Sequence, residues 1–551
     1  MNKFLKRTLT FGLLLTMATG ATSCDIIQQF LPNSSTDQPT SSSSSDDTLT
    51  LTGVDKVVAE ARAETDALIE EIRSAPNMDI PASATVYYVS EYGDDSNDGL
   101  SEDSAWLTLE KVNATKLAKG SYVCFRRGGL WRGQLVAQEG VTYTAYGEGD
   151  KPMFYASPEN GADASKWVKT EYENVWRYTT AFDLDVGCII FNDGEATGDK
   201  MVIWGTALDN DWTYPYPSEE LAALDYYNAT TFEPWYGLSS MDEDLQFYHN
   251  CDGKLFEGDI NDKYVYLYSE KNPGERFDSI EFNIQQHVIL VNYIKDVTLD
   301  NLCVKYTGAH GISAVDVENF TCSNLEVGYI GGSYMEEHTL TSCTRYGNGI
   351  QVWEYCDGWV CENNYVYQCY DTGITPQGQL GTAVSPKNQH NITISDNVIE
   401  YCNWSVEYWL DWSDEVVQTY KNFLIEDNYM WYAGEGICDT RRDREKAAHI
   451  RTWATKGNRN WSEDIVINNN VMIDSVDFTI FLVWSGKMSE EVSAKCAPLL
   501  ENNVFVADKD ADAVIEHYVW EKGYGGTKIP MSESEEFINE FGSGNECWIR
   551  E

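Results

Sequence analysis

From residue 301 onward, apolar and polar positions recur in one short phrase: an asparagine followed by a run in which apolar side chains dominate. It reads Asn301-Leu302-Cys303-Val304, Asn324-Leu325-Glu326-Val327, Asn364-Tyr365-Val366-Tyr367 and Asn397-Val398-Ile399-Glu400. It returns as Asn428-Tyr429-Met430-Trp431, Asn470-Val471-Met472-Ile473 and Asn503-Val504-Phe505-Val506, at intervals of 23, 40, 33, 31, 42 and 33 residues. One short strand and one buried turn per repeat predict a solenoid, whose units bury their apolar faces only against their neighbours. A small residue follows five places after several of these asparagines: Cys369, Cys402, Ala433 and Ser475. A small side chain in the same slot of each coil is a stacking position, so these cysteines are read as packing residues.

The region ahead of the repeat has its own order. A strand pattern at Val86 to Ser90 is followed by an acidic turn from Gly93 to Gly99 and a short helix starting near Trp106. Further strand patterns run through Gly120 to Phe125, Arg127 to Gly133, Thr144 to Gly147 and Lys151-Pro152-Met153. This order resembles the opening of bacterial right-handed parallel β-helix proteins of the pectate-lyase-like superfamily, in which such a strand and turn lead into a capping helix and the first coils. The likeness covers residues 84–155 and 286–506. It implies an all-β protein, a right-handed parallel β-helix (solenoid) with a β-rich insertion and helical caps, and a carbohydrate substrate. The reaction stays open, because the superfamily holds polysaccharide lyases, glycoside hydrolases, epimerases and noncatalytic proteins.

The chain divides accordingly. Residues 1–23 carry a basic start, an apolar run and small residues, which predicts a signal peptide. Cys24 after small residues resembles a lipoprotein acceptor, and 24–53 is a serine-rich tether. Residues 54–76 read as one amphipathic helix ended by Pro76 and expected to cover an end of the solenoid. The cap and first coils take 84–156, a β-rich insertion 157–285 and the main coils 286–506. An acidic tail with a helical stretch at Glu533 to Glu540 closes 507–551. The expected place is outside a bacterial membrane, attached through lipid on Cys24 alone, or secreted without it.

Charge and composition narrow the function. With 88 acidic against 39 basic residues the formal net charge is −49, which repels nucleic acid. Eighteen Trp and 34 Tyr supply flat faces suited to sugar rings, although a β-rich core uses the same residues. Thirteen cysteines besides Cys24, an odd number without CxxC spacing, argue against a disulfide or zinc framework. No cofactor is expected. Asp94, Asp95, Asn97 and Asp98 offer oxygen donors to Ca2+, but a hydrogen-bonded turn without metal is the preferred reading.

The phrase also sets a register for candidate chemistry. After it the chain turns, and new strands begin at Gly311-Ile312, Gly349-Ile350, Gly373-Ile374, Val406, Gly436-Ile437 and Ile480. If the β-branched residue points inward, the next residue points outward: Ser313, Gln351, Thr375, Glu407, Cys438 and Phe481. Flanking columns hold His310, Asn348, Thr372, Trp404, Glu435 and Phe478 before it, and Val315, Trp353, Gln377, Trp409 and Thr440 after it. Glu407 and Glu435 then stand on successive coils with backbones about 8 Å apart, a candidate acid/base pair whose side-chain reach leaves the inverting and retaining routes both open. Asp371, at the turn entering this face, substitutes for either. His310, Gln351, Trp353, Trp404 and Trp409 would contact sugar. A basic run, Arg441-Arg442-Asp443-Arg444-Glu445-Lys446 followed by His449 and Arg451, offers a rival chemistry. Arginines and a histidine there would neutralise a uronate and take its proton, as in a lyase or epimerase, unless they pair with Asp439, Asp443 and Glu445. A third reading is a noncatalytic glycan-binding adhesin. The reading preferred is a glycoside hydrolase acting on an oligosaccharide or polysaccharide.

Overall fold

The structure, a computed structural model, describes residues 52–550 apart from 202–237, 253–259, 336–343, 379–387, 411–417, 442–446, 456–459, 485–496, 509–514 and 520–526. The signal peptide, Cys24, most of the tether and Arg442 lie outside the described residues.

Three columns of apolar side chains run through the coils, each made by strands in parallel register. The first is Leu135, Ile289, Ile312, Ile350, Ile374, Val406, Ile450, Ile480 and Ile515. The second is Val297, Phe320, Trp359, Ile392, Phe423 and Ile465. The third is Phe154, Val304, Val327, Val366, Ile399, Met430, Met472 and Phe505. All are buried, and each removes an apolar side chain from water at a gain of about 1.5–3 kcal/mol. The protein is a parallel β-helix.

An asparagine ladder runs beside the third column. The backbone N–H and the Nδ2 of Asn364 both donate to Asn397 Oδ1, and the same pair of bonds links Asn397 to Asn428, Asn428 to Asn470, Asn470 to Asn503, and Asn503 to Asn545. Each buried amide thus satisfies groups at a corner where no strand partner is available. Asn301 and Asn324 are not part of it. They sit one position earlier with φ of 58° and 53°, in line with Asn363, Asp396, Asp427, Asn469 and Asn502, and the ladder positions in their coils are Leu302 and Leu325. A left-handed residue and a ladder residue both favour asparagine, so the sequence phrase hides a slip of one place.

The tail departs from expectation in the same way. Asn545 extends the ladder and Glu546–Arg550 pairs with Val504–Asp508, so residues beyond 506 build a further coil, with the helix Met531–Asn539 inside it. The stacking slot is as expected: Cys369 lies beside Cys402, and Ala433 beside Ser475, with both cysteines buried and reduced. The acidic turn closes on itself. Asp94 accepts from Ser96 N, Asp98 from Leu100 N and Ser104 Oγ, and Asp95 from Leu107 N and Thr108.

The N-terminal helix, Val54–Arg73, does not cover an end. It runs lengthwise across the coils on the flank carrying the third column. Arg73 pairs with Glu326, Arg62 with Glu400, Tyr429 donates to Glu64, and Trp431 Nε1 to Thr65 Oγ1 at 3.0 Å. At the N-terminal end of the stack the short helix Leu109–Ala114 lies against the first coil, with Leu109 and Val112 buried and Asn113 bonded to the backbone of Gln134 and Val136. The insertion is β-rich as expected. It forms a five-stranded sheet and a three-stranded sheet, the latter built on Val186–Phe191 and Ile280–Ile284. It is fastened to the coils through Asp185, whose backbone and side chain accept from Ser333 and Tyr334.

Candidate active site

The face with the outward columns begins as the sequence register places it and then departs at one coil. Ser313 lies opposite Gln351, Gln351 opposite Thr375, and Gln377 opposite Trp409. The strand beside Val398–Leu410, however, is Ala448–Thr455, which sets Arg451 opposite Glu407 and Phe481 opposite Arg451. Gly436–Cys438 is a short 3-10 turn instead of a strand. Its glycine serves a different purpose from those at 311, 349 and 373. Those three point into the coil, where a Cβ would strike core or backbone atoms, whereas Gly436 has φ +84°. Glu435 therefore lies before this turn, where Gln368 caps the N–H of Ile437, and it is not the strand neighbour of Glu407.

Around Glu407 the side chains converge. Thr372 Oγ1 and Gln377 Nε2 donate to its Oε2 at 3.3 and 3.2 Å, and Arg451 Nη1 stands 3.4 Å from Oε1. Glu407 is 5% exposed, Arg451 8% and Trp404 2%. The Arg451 guanidinium lies 3.9 Å from the Trp404 ring centre, and Arg441 lies 4.8 Å from it. Arg441 Nη1 in turn pairs with Asp371 at 3.2 Å. One tryptophan thus carries two guanidinium groups, each holding one carboxylate. Removing either member of such a pair costs about 3–5 kcal/mol, because the other charge is left buried.

Tyr370, the residue before Asp371, carries Arg345 over its ring at 4.3 Å, and its hydroxyl donates to Thr440 O at 3.4 Å. Arg345 leads to a cavity of about 250 Å³ between insertion and coils, lined by Cys188, Thr197 to Lys200, Ile437, Asp439 and Thr440. Lys200 Nζ, at its back, bonds both oxygens of Asp185 at 2.7 Å, and burial pushes its pKa down against the pull of that carboxylate. Asp185, Lys200 and Cys188 were missed by sequence reasoning, since residues on an insertion meet a coil some 150 positions away without any local signal.

The remaining candidates fall in three places. His310 is buried, stacked on His287 with ring centres 5.0 Å apart, and burial drives its pKa well below the usual histidine range. Gln351 accepts from Asn348 Nδ2 at 2.6 Å, while the half-buried rings of Trp353 and Trp409 meet edge to face at 5.5 Å. His449 is not on this face. It follows Gly311, Gly349, Gly373 and Ser405 in the column that points into the coil, with Nδ1 3.1 Å from Ser405 Oγ, and burial lowers its pKa to about 3. Arg441 pairs with Asp371 and lies over Trp404, so it belongs to this cluster. Among the described residues, no three His, Cys, Asp or Glu side chains are grouped to hold a metal ion.

Fold and site together define a parallel β-helix with a carboxylate–guanidinium cluster on its outer face. No family model matches the chain. Among curated proteins it is similar to the lacto-N-biosidase of Bifidobacterium longum subsp. longum, 23% identical over 483 residues, which cover 77% of this chain and 29% of that protein. The chain therefore spans under a third of that relative's length. Among solved structures it is similar to a glycoside hydrolase with 11% identity, 85% of this chain and 96% of the other covered, and a TM-score of 0.49. It is also similar to the GH136 lacto-N-biosidase from Eubacterium ramulus, with 12% identity, 84% and 68% covered, and a TM-score of 0.33.

Proposed function

We propose that this chain is a glycoside hydrolase acting on an oligosaccharide or polysaccharide outside the cell, with Glu407 and Asp371 as its working carboxylates. The observation that carries this reading is their shared arrangement: both are paired with arginines that lie over the same Trp404 ring. Hydrolysis of a glycosidic bond needs two carboxyl groups, one giving a proton to the leaving oxygen and one attacking or activating water. The name of the curated relative, a lacto-N-biosidase, supports the same class of bond. Glu435 gives up its place in the pair, since the register moves it off the strand.

The same arrangement weakens the lyase reading. A uronate carboxylate would have to compete with Asp371 for Arg441 and with Glu407 for Arg451. Export and attachment through Cys24 belong to the proposal as well; no helix among the described residues is long and apolar enough to cross a membrane. The test is to incubate the chain lacking residues 1–50 with a glycan panel, following new reducing ends and the ultraviolet absorbance of unsaturated uronates. Reducing ends without that absorbance, reduced about 10²–10⁴-fold by Glu407→Gln and by Asp371→Asn, are expected. Full activity in both variants overturns the assignment.

A further inference from the structure

At the corner where each coil enters its outward strand, His287, His310, Asn348 and Thr372 stand in one column, each two places before the inward apolar residue. The side chain of each accepts the backbone N–H of the next. His310 N donates to His287 Nδ1 at 3.1 Å, Asn348 N to His310 Nδ1 at 2.9 Å, and Thr372 N to Asn348 Oδ1 at 2.9 Å. This second ladder satisfies corner amides as the asparagine ladder does. Both rings must be neutral to accept through Nδ1, and burial favours that form.

The pattern changes at Thr372. Its hydroxyl has one proton to give, and that proton goes to Glu407 Oε2 on the next coil. The next position in the column is Trp404, which has no acceptor and instead carries the two guanidinium groups. Gln377, on the same strand as Thr372, donates to the same carboxylate oxygen, and its own backbone carbonyl is held by Gln389 Nε2 at 2.9 Å. The corner ladder therefore ends by donating to Glu407, an outward-facing glutamate of the adjoining column.

We propose that Thr372 and Gln377 are positioning residues that hold Glu407 ionised, so that Glu407 is the carboxylate that remains charged until bond making. This rests on the hydrolase reading above and assigns roles within it. Glu407 bonds to the anomeric carbon, or takes a proton from the water that does, while the glycosidic oxygen leaves with a proton from the other carboxyl. Among the described residues, the charged and titratable groups around it include Arg451 from the following coil, Arg441 and Asp371 beyond Trp404, and the buried phenol of Tyr420. Two donors on the charged form lower a carboxyl pKa, and neither forms as good a bond with the acid.

The decisive measurement is titration of the Glu407 side-chain carboxyl by carbon-13 NMR, assigned through Glu407→Gln, in the wild type and in Thr372→Val, Thr372→Ser and Gln377→Leu. The expected result is a rise of about one pH unit in Thr372→Val, a comparable rise in Gln377→Leu, and return to the wild-type value in Thr372→Ser. The acid limb of the kcat/KM profile should move with it. A Glu407 titration that does not move in either Thr372→Val or Gln377→Leu overturns the proposal. A titration that moves in a protein that cuts no glycan upholds the positioning and removes only the hydrolase reading.

Discussion

Asn428 sits mid-ladder, and replacing it by alanine removes four bonds at once. Its Oδ1 accepts from Asn397 N and Nδ2 at 3.0 and 2.9 Å, and its Nδ2 donates to Ile394 O and Asn470 Oδ1 at 3.0 and 2.9 Å. Two of the partners keep another bond: Asn397 Nδ2 reaches Cys361 O, and Asn470 Oδ1 still accepts from Asn428 N. The Asn397 N–H and the Ile394 carbonyl lose the side-chain partner that serves them at this corner. A buried group left without a partner costs about 1–3 kcal/mol, so the two together with the weaker losses cost about 4 kcal/mol. That is a large share of the 5–15 kcal/mol by which a domain is commonly stable. Urea denaturation followed by tryptophan fluorescence gives the total, and amide exchange at Asn397 gives the local part. Asn301→Ala is the control. That side chain lies outside the ladder and instead bonds Lys151 and the carbonyls of Ala75 and Pro76, so it should loosen the end of the N-terminal helix. A loss below about 1 kcal/mol in Asn428→Ala with unchanged Asn397 exchange would refute the view that the ladder holds the coils.

Burial lowers His287 to about 4 and His449 to about 3, from 6.5. The unfolded chain then takes up these protons first, so stability falls as pH drops below about 6.5, by about 1.4 kcal/mol per unit for each histidine. His287→Gln should flatten the slope of urea midpoints between pH 7 and pH 5, and an unchanged slope counts against it. Arg451→Met leaves Glu407 buried beside Trp404 without its cation and should cost about 3–5 kcal/mol, which the double variant Arg451→Met/Glu407→Gln recovers in part; equal losses in both would contradict the pairing. Thr197→Trp at the mouth of the cavity should raise KM at least several-fold with kcat little changed if a sugar enters there, and an unaltered KM speaks against entry. Cys24→Ser should move the full chain from the membrane fraction to the soluble exported fraction, and retention on the membrane would dismiss the lipid anchor.

The fold was legible because a parallel solenoid repeats its local requirements: one inward β-branched residue, one small stacking residue and one corner amide per coil. The errors have equally local causes. Asparagine meets two different needs one place apart, which misplaced Asn301 and Asn324 in the ladder. Glycine likewise meets two needs, absence of a Cβ at 311, 349 and 373 and a left-handed backbone at 436, which turned a 3-10 turn into an expected strand. The site was half legible for the same reason. Glu407, Trp404 and Asp371 follow from a register that holds through residue 409, whereas Arg451 needed the true restart of the strand at Ala448. Arg345 over Tyr370 and Lys200 against Asp185 are contacts between segments far apart in the chain, and no spacing announces them.

Solenoids ordinarily gain and lose repeats with ease, because each touches only its neighbours. The lengthwise helix removes that freedom. From Arg73, held by Glu326, to Glu64, held by Tyr429, it advances nine residues, about 13.5 Å. The coils between those partners take three steps, from Glu326 to Tyr365, Val398 and Tyr429, about 14 Å at the strand spacing. Helix and stack are commensurate over this stretch, like two scales of a vernier brought into coincidence. Insertion or deletion of a single coil between residues 326 and 429 would shift one scale by about 4.8 Å against the other and uncouple one end of the helix. The helix acts as a gauge of coil number, which keeps Asp371 and Glu407 on adjacent turns.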